Sequence, residues 1–143
     1  MALNTYLHLK LDNVAVVGSV TQKGREGTIE IDSLEWSFDS DGNVGEVKFS
    51  GAIDKATVPI GAGLKSNASV EATFDFWAPS PTGAEVQYFT LHGTGGKITS
   101  VDLWMPNNKD PALLKYATTM QYTMTFTSMT ETWIDGGLTV TIP

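Results

Sequence analysis

Short runs in which apolar and polar residues alternate dominate the chain. In the first run Leu7, Leu9 and Leu11 share one parity, so they would lie on one face of a β-strand and point into a core. Tyr6 and Lys10 have the opposite parity and are expected on the polar face of the same strand. The run therefore predicts a half-buried strand near the start of the chain.

Similar runs recur along the sequence, separated by segments rich in Gly, Asn, Asp and Pro. Residues 14–20 are expected to continue the first strand or to pair with it. The pattern predicts a mainly all-β protein, either a β-barrel or a two-sheet β-sandwich of about eight to ten strands with one or two short helices. Further strands are predicted at Glu46–Gly51, Ser69–Trp77, Glu85–Leu91, Ile98–Met105 and Leu138–Ile142.

The apolar parity changes side within the third run. Ile29 and Ile31 share one parity, whereas Leu34 and Trp36 share the other. A β-bulge adds one residue and so restores the buried face, and we expect one near Asp32.

Two segments have features of helices. Pro111–Thr118 is the stronger candidate, because Asp110 suits the N-cap and proline suits the first helical position. Asp54–Leu64 is the weaker one, since Pro59 and two glycines oppose a regular helical interior.

Three glycine-containing segments are interpreted as turns. Gly93–Gly96 and Gly61–Gly63 lack the Lys-Ser/Thr ending of a phosphate-binding loop. Asp39–Asn43 superficially resembles a calcium loop, but the glutamate that closes such a loop is missing. A hairpin turn explains Asp39–Asn43 better.

Length and composition fit one soluble globular domain spanning residues 1–143. The chain has 143 residues, of which 41% are apolar and 17% charged, and this balance is typical of a folded domain. It contains no cysteine, which excludes disulfides, thiolate metal sites and a cysteine nucleophile.

The charge balance disfavours nucleic acid as a partner. Sixteen acidic residues against nine basic ones give a net charge of -7, which repels phosphate backbones. No apolar run approaches the roughly 20 residues that span a bilayer, so no membrane insertion is expected. The amino terminus has neither the basic nor the apolar region of a secretory signal.

No catalytic or metal-binding constellation is recognisable. His8 and His92 lie on separate predicted strands without an adjacent serine or carboxylate motif, and both are interpreted as ordinary strand residues. A glycosidase-like carboxylate pair would converge only in space, and nothing singles one out. We expect no enzyme activity, no metal and no cofactor.

The four tryptophans allow two interpretations. Exposed indole rings stack on sugars, so Trp36, Trp77, Trp104 and Trp133 could form a carbohydrate platform. Because each lies within or at the end of a predicted strand, a role in the core or in a subunit interface is the favoured interpretation.

Four blocks have a specificity that composition lacks. They are Gly18–Gly27 (GSVTQKGREG), Phe76–Gly83 (FWAPSPTG), Met105–Pro111 (MPNNKDP) and Thr132–Gly137 (TWIDGG). Together they resemble the haemolysin co-regulated protein (Hcp) family of bacterial type VI secretion. The resemblance extends from Ala2 to about Gly137 and is weakest between Asp39 and Ala68.

The resemblance implies a structural subunit of the type VI inner tube. Homo-hexameric rings would stack into a tube inside a sheath, below a spike protein, and would be expelled from the cell with effector proteins in the lumen. Such a protein would be cytoplasmic before firing and then secreted without a signal peptide. The alternatives are a tail-tube-like subunit of a phage-related contractile particle, a carbohydrate-binding β-sandwich and an unrecognised hydrolase.

The resemblance also implies where subunits meet. A connection at Asp39–Val44 that is shorter than usual for the family, and the absence of the usual acidic tail, are expected to weaken stacking while leaving the ring intact. The candidate assembly residues are Lys23, Arg25, Trp77, Tyr88, Phe89, Asn107, Asn108 and Asp135.

Overall fold

A computed structural model describes residues 4–143 and confirms the mainly β class. The described residues form ten strands, one α-helix and one short 3-10 helix. The strands are β1 Asn4–Leu11, β2 Val14–Val16, β3 Ile29–Ile31, β4 Ser33–Glu35, β5 Val47–Gly51, β6 Val70–Pro79, β7 Glu85–Trp104, β8 Thr119–Thr125, β9 Ser128–Trp133 and β10 Leu138–Ile142; helix α1 is Thr57–Ser66 and the 3-10 helix is Pro111–Leu113.

All strand pairs are antiparallel, and the long strand β7 joins two sheets. Its first half pairs with β6 and β9, and its second half pairs with β8. Sheet A has the order β10-β9-β7-β6-β1, with β2 and β3 both paired to the outer edge of β1. Sheet B has the order β7-β8-β5-β4, and the path of paired strands does not close into a barrel.

The core lies between the inner faces of the two sheets. Leu7 and Phe74 from sheet A are fully buried against Phe49 and Met124 from sheet B. The rings of Phe49 and Phe74 meet edge to face with their centroids 5.3 Å apart, a favoured aromatic geometry. Truncating a buried Phe to Ala typically costs about 3–5 kcal/mol, so this contact is a major source of stability.

The predicted turn at residues 93–96 is wrong, because these glycines lie inside β7. A Cβ atom on Gly93 would lie 2.6 Å from Cδ1 of Phe126, and one on Gly96 would lie 2.5 Å from the same atom. The glycines therefore make room for Phe126 where the strand passes from one sheet to the other. The two strands predicted at 85–91 and 98–105 are consequently one strand of 20 residues.

The weaker helix candidate forms the α-helix, and the turn predicted at 61–63 lies inside it. Pro59 is the third residue of α1, in the first turn, where amides have no partner within the helix. A Cβ atom on Gly63 would lie 2.9 Å from Cδ1 of Leu11, so glycine lets the helix pack closely on sheet A. Asn67 ends α1 in the left-handed conformation at φ 57°.

The stronger candidate, Pro111–Thr118, forms only the 3-10 helix Pro111–Leu113. Asp110 is its N-cap as predicted, and its carboxylate accepts a hydrogen bond of 3.0 Å from the amide of Ala112. None of the residues of the 3-10 helix is buried. Without an apolar face packed on the core, local sequence preference does not extend so short a helix.

The expected bulge near Asp32 is instead a change of sheet. β3 pairs with β1 in sheet A, and β4 pairs with β5 in sheet B. Asp32 lies between the two strands, and its amide donates a 2.8 Å hydrogen bond to the carbonyl of Ser50. The parity change in the sequence marks the point where the chain crosses between sheets.

Residues 39–43 form the predicted hairpin turn. One carboxylate oxygen of Asp39 accepts hydrogen bonds from the amides of Asp41 and Asn43, both 3.0 Å long. Gly42 has a φ of 80°, which glycine adopts without strain. Hydrogen bonds to Asn43 lower the pKa of the Asp39 carboxyl.

Candidate assembly interface

The first family-like block is fixed to sheet A through Arg25. Arg25 is only 7% exposed, and its side chain forms an ion pair with Glu85. The guanidinium carbon lies 4.0 Å from the ring centroid of Trp77 and 5.2 Å from that of Tyr6. Arg25 is therefore held between two aromatic rings and a carboxylate.

The charges of this cluster reinforce each other. Burial alone would lower the pKa of Arg25, but hydrogen bonds to Tyr6 and Glu85 outweigh it, so the pKa is raised. The hydrogen bond from Arg25 lowers the pKa of the Glu85 carboxyl, which also accepts a 2.9 Å hydrogen bond from Asn4. Both groups are thus held in their charged forms.

This cluster determines how exposed the candidate assembly residues Lys23, Arg25 and Trp77 are. Arg25 is buried inside the subunit, while Lys23 remains exposed two positions earlier in the turn. Tyr6, expected on the polar face, is buried because Arg25 covers it. Trp77 is half-buried by the same guanidinium.

Three further candidates lie where β7 meets β9. The half-buried ring of Tyr88 meets the exposed ring of Trp133 edge to face at 6.0 Å, and Phe89 meets Phe76 at 5.4 Å. The carbonyl of Tyr88 accepts a hydrogen bond from Ile134, at the turn that contains the exposed Asp135. Sequence position does not show this proximity, because β7 and β9 are far apart in the chain.

Asn107 and Asn108 are not part of this group. Both are exposed and follow the carboxyl end of β7, whereas Tyr88 and Phe89 lie near its amino end. The side-chain oxygen of Asn107 accepts a 3.0 Å hydrogen bond from the amide of Lys109. The candidates therefore fall into two groups at opposite ends of one strand.

An exposed apolar surface on the β9–β10 hairpin was missed by the sequence reasoning. We call Trp133, Ile134, Leu138 and Val140 the hairpin surface; Leu138 is 69% exposed. A groove of about 270 Å³ runs between Phe89 and this hairpin. The alternation in Leu138–Ile142 was visible in the sequence, but only the structure shows that sheet B does not cover it.

Strand β10 is also an edge strand. Among the strands of residues 4–143 it pairs only with β9, so its other side presents unpaired backbone groups. A second apolar surface lies at the end of β7, where Leu103 and Met105 are exposed. Exposed apolar groups therefore occur at the hairpin surface and, separately, at the end of β7.

Both histidines lie on separate strands, as predicted, and each has a carboxylate partner on the neighbouring strand β6. His8 Nε2 lies 3.0 Å from a carboxylate oxygen of Asp75, and His92 Nε2 lies 3.4 Å from one of Glu71. The hydrogen bond to Asp75 raises the pKa of His8 despite partial burial. Pairing between strands β1, β6 and β7 creates these contacts, so sequence spacing does not reveal them.

The outer face of sheet A around the histidines is polar. Cross-strand rows on this face combine Thr73 with His92, and Asp75 with Thr90. Strands β9 and β10 continue the rows with Thr130 and other threonines. Within residues 4–143, no group of three or more metal-ligating side chains is placed to hold an ion, and no helix is long and apolar enough to cross a membrane.

Comparison with protein families identified a family that covers most of the chain. The model of the family described as "Type VI secretion system effector, Hcp" matches residues 6–133. The comparison with curated proteins gave no match.

Solved structures with the same fold cover almost the whole chain. A mutated Hcp1 from the E. coli EAEC 042 pathovar has a TM-score of 0.84 at 22% identity, covering 98% of this chain and 97% of that one. Secreted protein Hcp3 from Pseudomonas aeruginosa has a TM-score of 0.84 at 14% identity, with coverages of 98% and 97%. Hcp1 from Salmonella typhimurium has a TM-score of 0.79 at 18% identity, with coverages of 98% and 94%.

Proposed function

The chain belongs to the Hcp family of type VI secretion tube proteins, which are structural and not enzymes, and from this premise we propose that it assembles into hexameric rings that stack into the inner tube. Expelled rings would carry effector proteins in their lumen. The sheath and the spike are the expected partners. We further propose that the protein is cytoplasmic before firing and secreted by the type VI route.

The observation that carries the ring proposal is the hairpin surface at an open sheet edge. Leu138 and Val140 lie on the side of sheet A that elsewhere packs against the core, yet both are exposed. Burying apolar area contributes about 25 cal/mol per Å², so a neighbouring subunit that covered these side chains would be held firmly. The same neighbour would satisfy the unpaired edge of β10.

A closed ring also requires a second, different surface on each subunit. Head-to-tail contacts join two unlike patches, and the ring closes when rotation returns to the first subunit. Leu103 and Met105 supply apolar groups at a separate place, at the end of β7. The candidate residues of both ends of β7 fit such a pair of surfaces.

The polar face of sheet A supports a passage for cargo. Its side chains are mainly threonines with two histidines, each beside a carboxylate. Such a wall stays hydrated and offers a passing protein no apolar patch to adhere to. We assign this face to the lumen.

Stacking is proposed to be weaker than lateral contact. The Asp39–Val44 connection is a tight hydrogen-bonded turn, which presents little area to the next ring. Interfaces burying less than about 1,200 Å² in total are commonly transient. Single rings are therefore expected in dilute solution.

The ring contact is tested by placing a charge in the hairpin surface. Leu138→Asp should convert rings into monomers, because a neighbour would have to bury an unpaired carboxylate. Light scattering after size-exclusion chromatography measures the mass. Val58→Asp is the matched control, since Val58 is 79% exposed on α1, away from the hairpin. Rings that persist in Leu138→Asp, or that dissociate equally in Val58→Asp, would contradict the proposal.

A further inference from the structure

The two exposed tryptophans have chemically different surroundings. Trp133 is 47% exposed and belongs to the apolar hairpin surface. Trp104 is 49% exposed and lines a groove of about 330 Å³ on the outer face of sheet B. The residues that share this groove with Trp104 are Ser33, Ser50, Asp102, Thr119 and Gln121. An exposed aromatic ring beside convergent polar groups suits a ligand that has both an apolar face and hydroxyl groups.

Strand register aligns the polar groups of the groove. Asp102 pairs with Gln121, Gln121 with Ser50, and Ser50 with Ser33, so their side chains form one row across four strands. Neighbouring strands lie about 4.8 Å apart, and the row therefore spans about 14 Å. It offers a carboxylate, a carboxamide and two hydroxyls, which together both donate and accept hydrogen bonds.

Trp104 is held beside this row. It pairs with Thr119 two positions along the strand from Asp102, about 7 Å away at the usual rise per residue. Tyr116 meets the indole edge to face, with the centroids 6.1 Å apart and the planes at 76°. This contact orients the indole while almost half of its surface stays open.

The charge of the groove narrows the class of ligand. Among the described residues that line it none is Lys or Arg, and Asp102 contributes a negative charge. Phosphorylated or sulfated ligands would therefore be repelled, whereas uncharged ligands rich in hydroxyl groups would find suitable partners. We propose that this groove binds a neutral oligosaccharide, with a sugar ring stacked on Trp104 and its hydroxyls bonded to Asp102 and Gln121.

This proposal does not rest on the proposed ring, because every residue that lines the groove belongs to one subunit. Leu103 and Met105, which are assigned to a ring contact, flank Trp104 in the sequence but do not line the groove. Stacking of a sugar ring on Trp104 provides most of the affinity, and hydrogen bonds to the polar row fix the orientation of the oligosaccharide. An open cleft of this size, with few enclosing walls, predicts weak binding with a Kd of about 1 mM.

Titration with defined oligosaccharides tests the site. The probes are maltohexaose, cellohexaose and chitohexaose, with a heparin oligosaccharide as the anionic comparison. NMR titration of the purified protein, with probes up to about 10 mM, should show saturable shifts for at least one neutral probe and none for heparin. No saturable binding of any neutral probe, or tighter binding of heparin, would overturn the proposal.

Two aromatic variants locate the binding. Trp104→Ala should raise the Kd of the neutral probe about tenfold or more. Phe38→Ala is the matched control, since it removes an aromatic side chain that is also 49% exposed but lies outside the groove, and it should leave the Kd unchanged. Equal losses in both variants, or unchanged binding in Trp104→Ala, would place the ligand elsewhere and overturn the assignment.

A third measurement separates a sugar site from a subunit contact. The mass of Trp104→Ala measured by light scattering should equal that of the unmodified protein, because the indole is assigned to a ligand. If rings dissociate in Trp104→Ala and neutral probes do not bind the unmodified protein, Trp104 is a subunit contact and the proposal is wrong. Gln121→Ala, which leaves the indole intact, should also weaken binding.

Discussion

Arg25 is the residue whose role depends most on its surroundings. A buried guanidinium is stable only when it is paired, and Glu85, Trp77 and Tyr6 together provide that pairing. The arginine side chain is planar, which suits both the stack on Trp77 and the hydrogen bonds to its partners. The loop from Gly18 to Gly27 is thereby anchored to three strands of sheet A.

Replacing Arg25 should destabilise the subunit. Arg25→Ala should lower the free energy of unfolding by about 2 kcal/mol, the contribution of a desolvated cation–π contact, and Arg25→Lys should recover only part of it. Chemical denaturation measures the change. Lys23→Ala, in the same turn but exposed, should change it by less than about 0.5 kcal/mol. Similar values for Arg25→Ala and Lys23→Ala would refute the anchoring role.

His8 should titrate above its ordinary range. Its hydrogen bond to Asp75 raises its pKa from the reference value of 6.5. Because the folded pKa is the higher one, the pair contributes its full stability below about pH 6.5 and loses it as the pH rises through the folded value. NMR titration of the imidazole should show the raised pKa, and Asp75→Asn should lower it. An unchanged pKa of His8 in Asp75→Asn would show that Asp75 is not the cause.

Residue roles could be predicted from the sequence only where they are local. The cap at Asp110 and the turn at Asp39 follow from bonds to neighbours in the chain, and both are confirmed. The partners of Arg25, His8 and His92 come from other strands. The charge and spacing of residues along the chain do not identify these partners, because strand register and sheet topology decide which side chains meet.

At the scale of elements, glycine illustrates how context decides conformation. From the sequence alone, the glycines of α1 and β7 are predicted to be turn residues, because glycine weakens regular structure. In the fold they are positions of close approach, Gly63 to Leu11 and Gly93 to Phe126. The strand predictions at 46–51, 69–77 and 138–142 agree with β5, β6 and β10 within two residues, since alternation alone defines a half-buried strand.

Two glycines of one helix should respond differently to alanine. Gly61 has nothing within 4 Å of an added Cβ, so Gly61→Ala should stabilise the protein by about 0.5–1 kcal/mol. Gly63→Ala should gain less or destabilise, because the added methyl meets Leu11 at 2.9 Å. Thermal and chemical denaturation of both variants measure the difference. A larger gain for Gly63→Ala would contradict the close packing of α1 on sheet A.

At the scale of the whole molecule, the subunit buries one core and leaves specific parts uncovered. Sheet B covers the inner face of sheet A around Leu7 and Phe74 but not at the hairpin surface. The mainly β class and the family follow from the sequence, because alternation and the four blocks are local signals. The uncovered edge could not be predicted, since it depends on how far one sheet extends beyond the other.

Negative-stain electron microscopy of the purified protein tests the ring proposal most directly. Six copies that join through the hairpin surface should give class averages of rings with sixfold symmetry and a central opening, and most rings should be single if stacking is weak as proposed. Leu138→Asp at the same concentration should give no rings. A field of monomers for the unmodified protein, or averages with another symmetry, would contradict the proposed assembly.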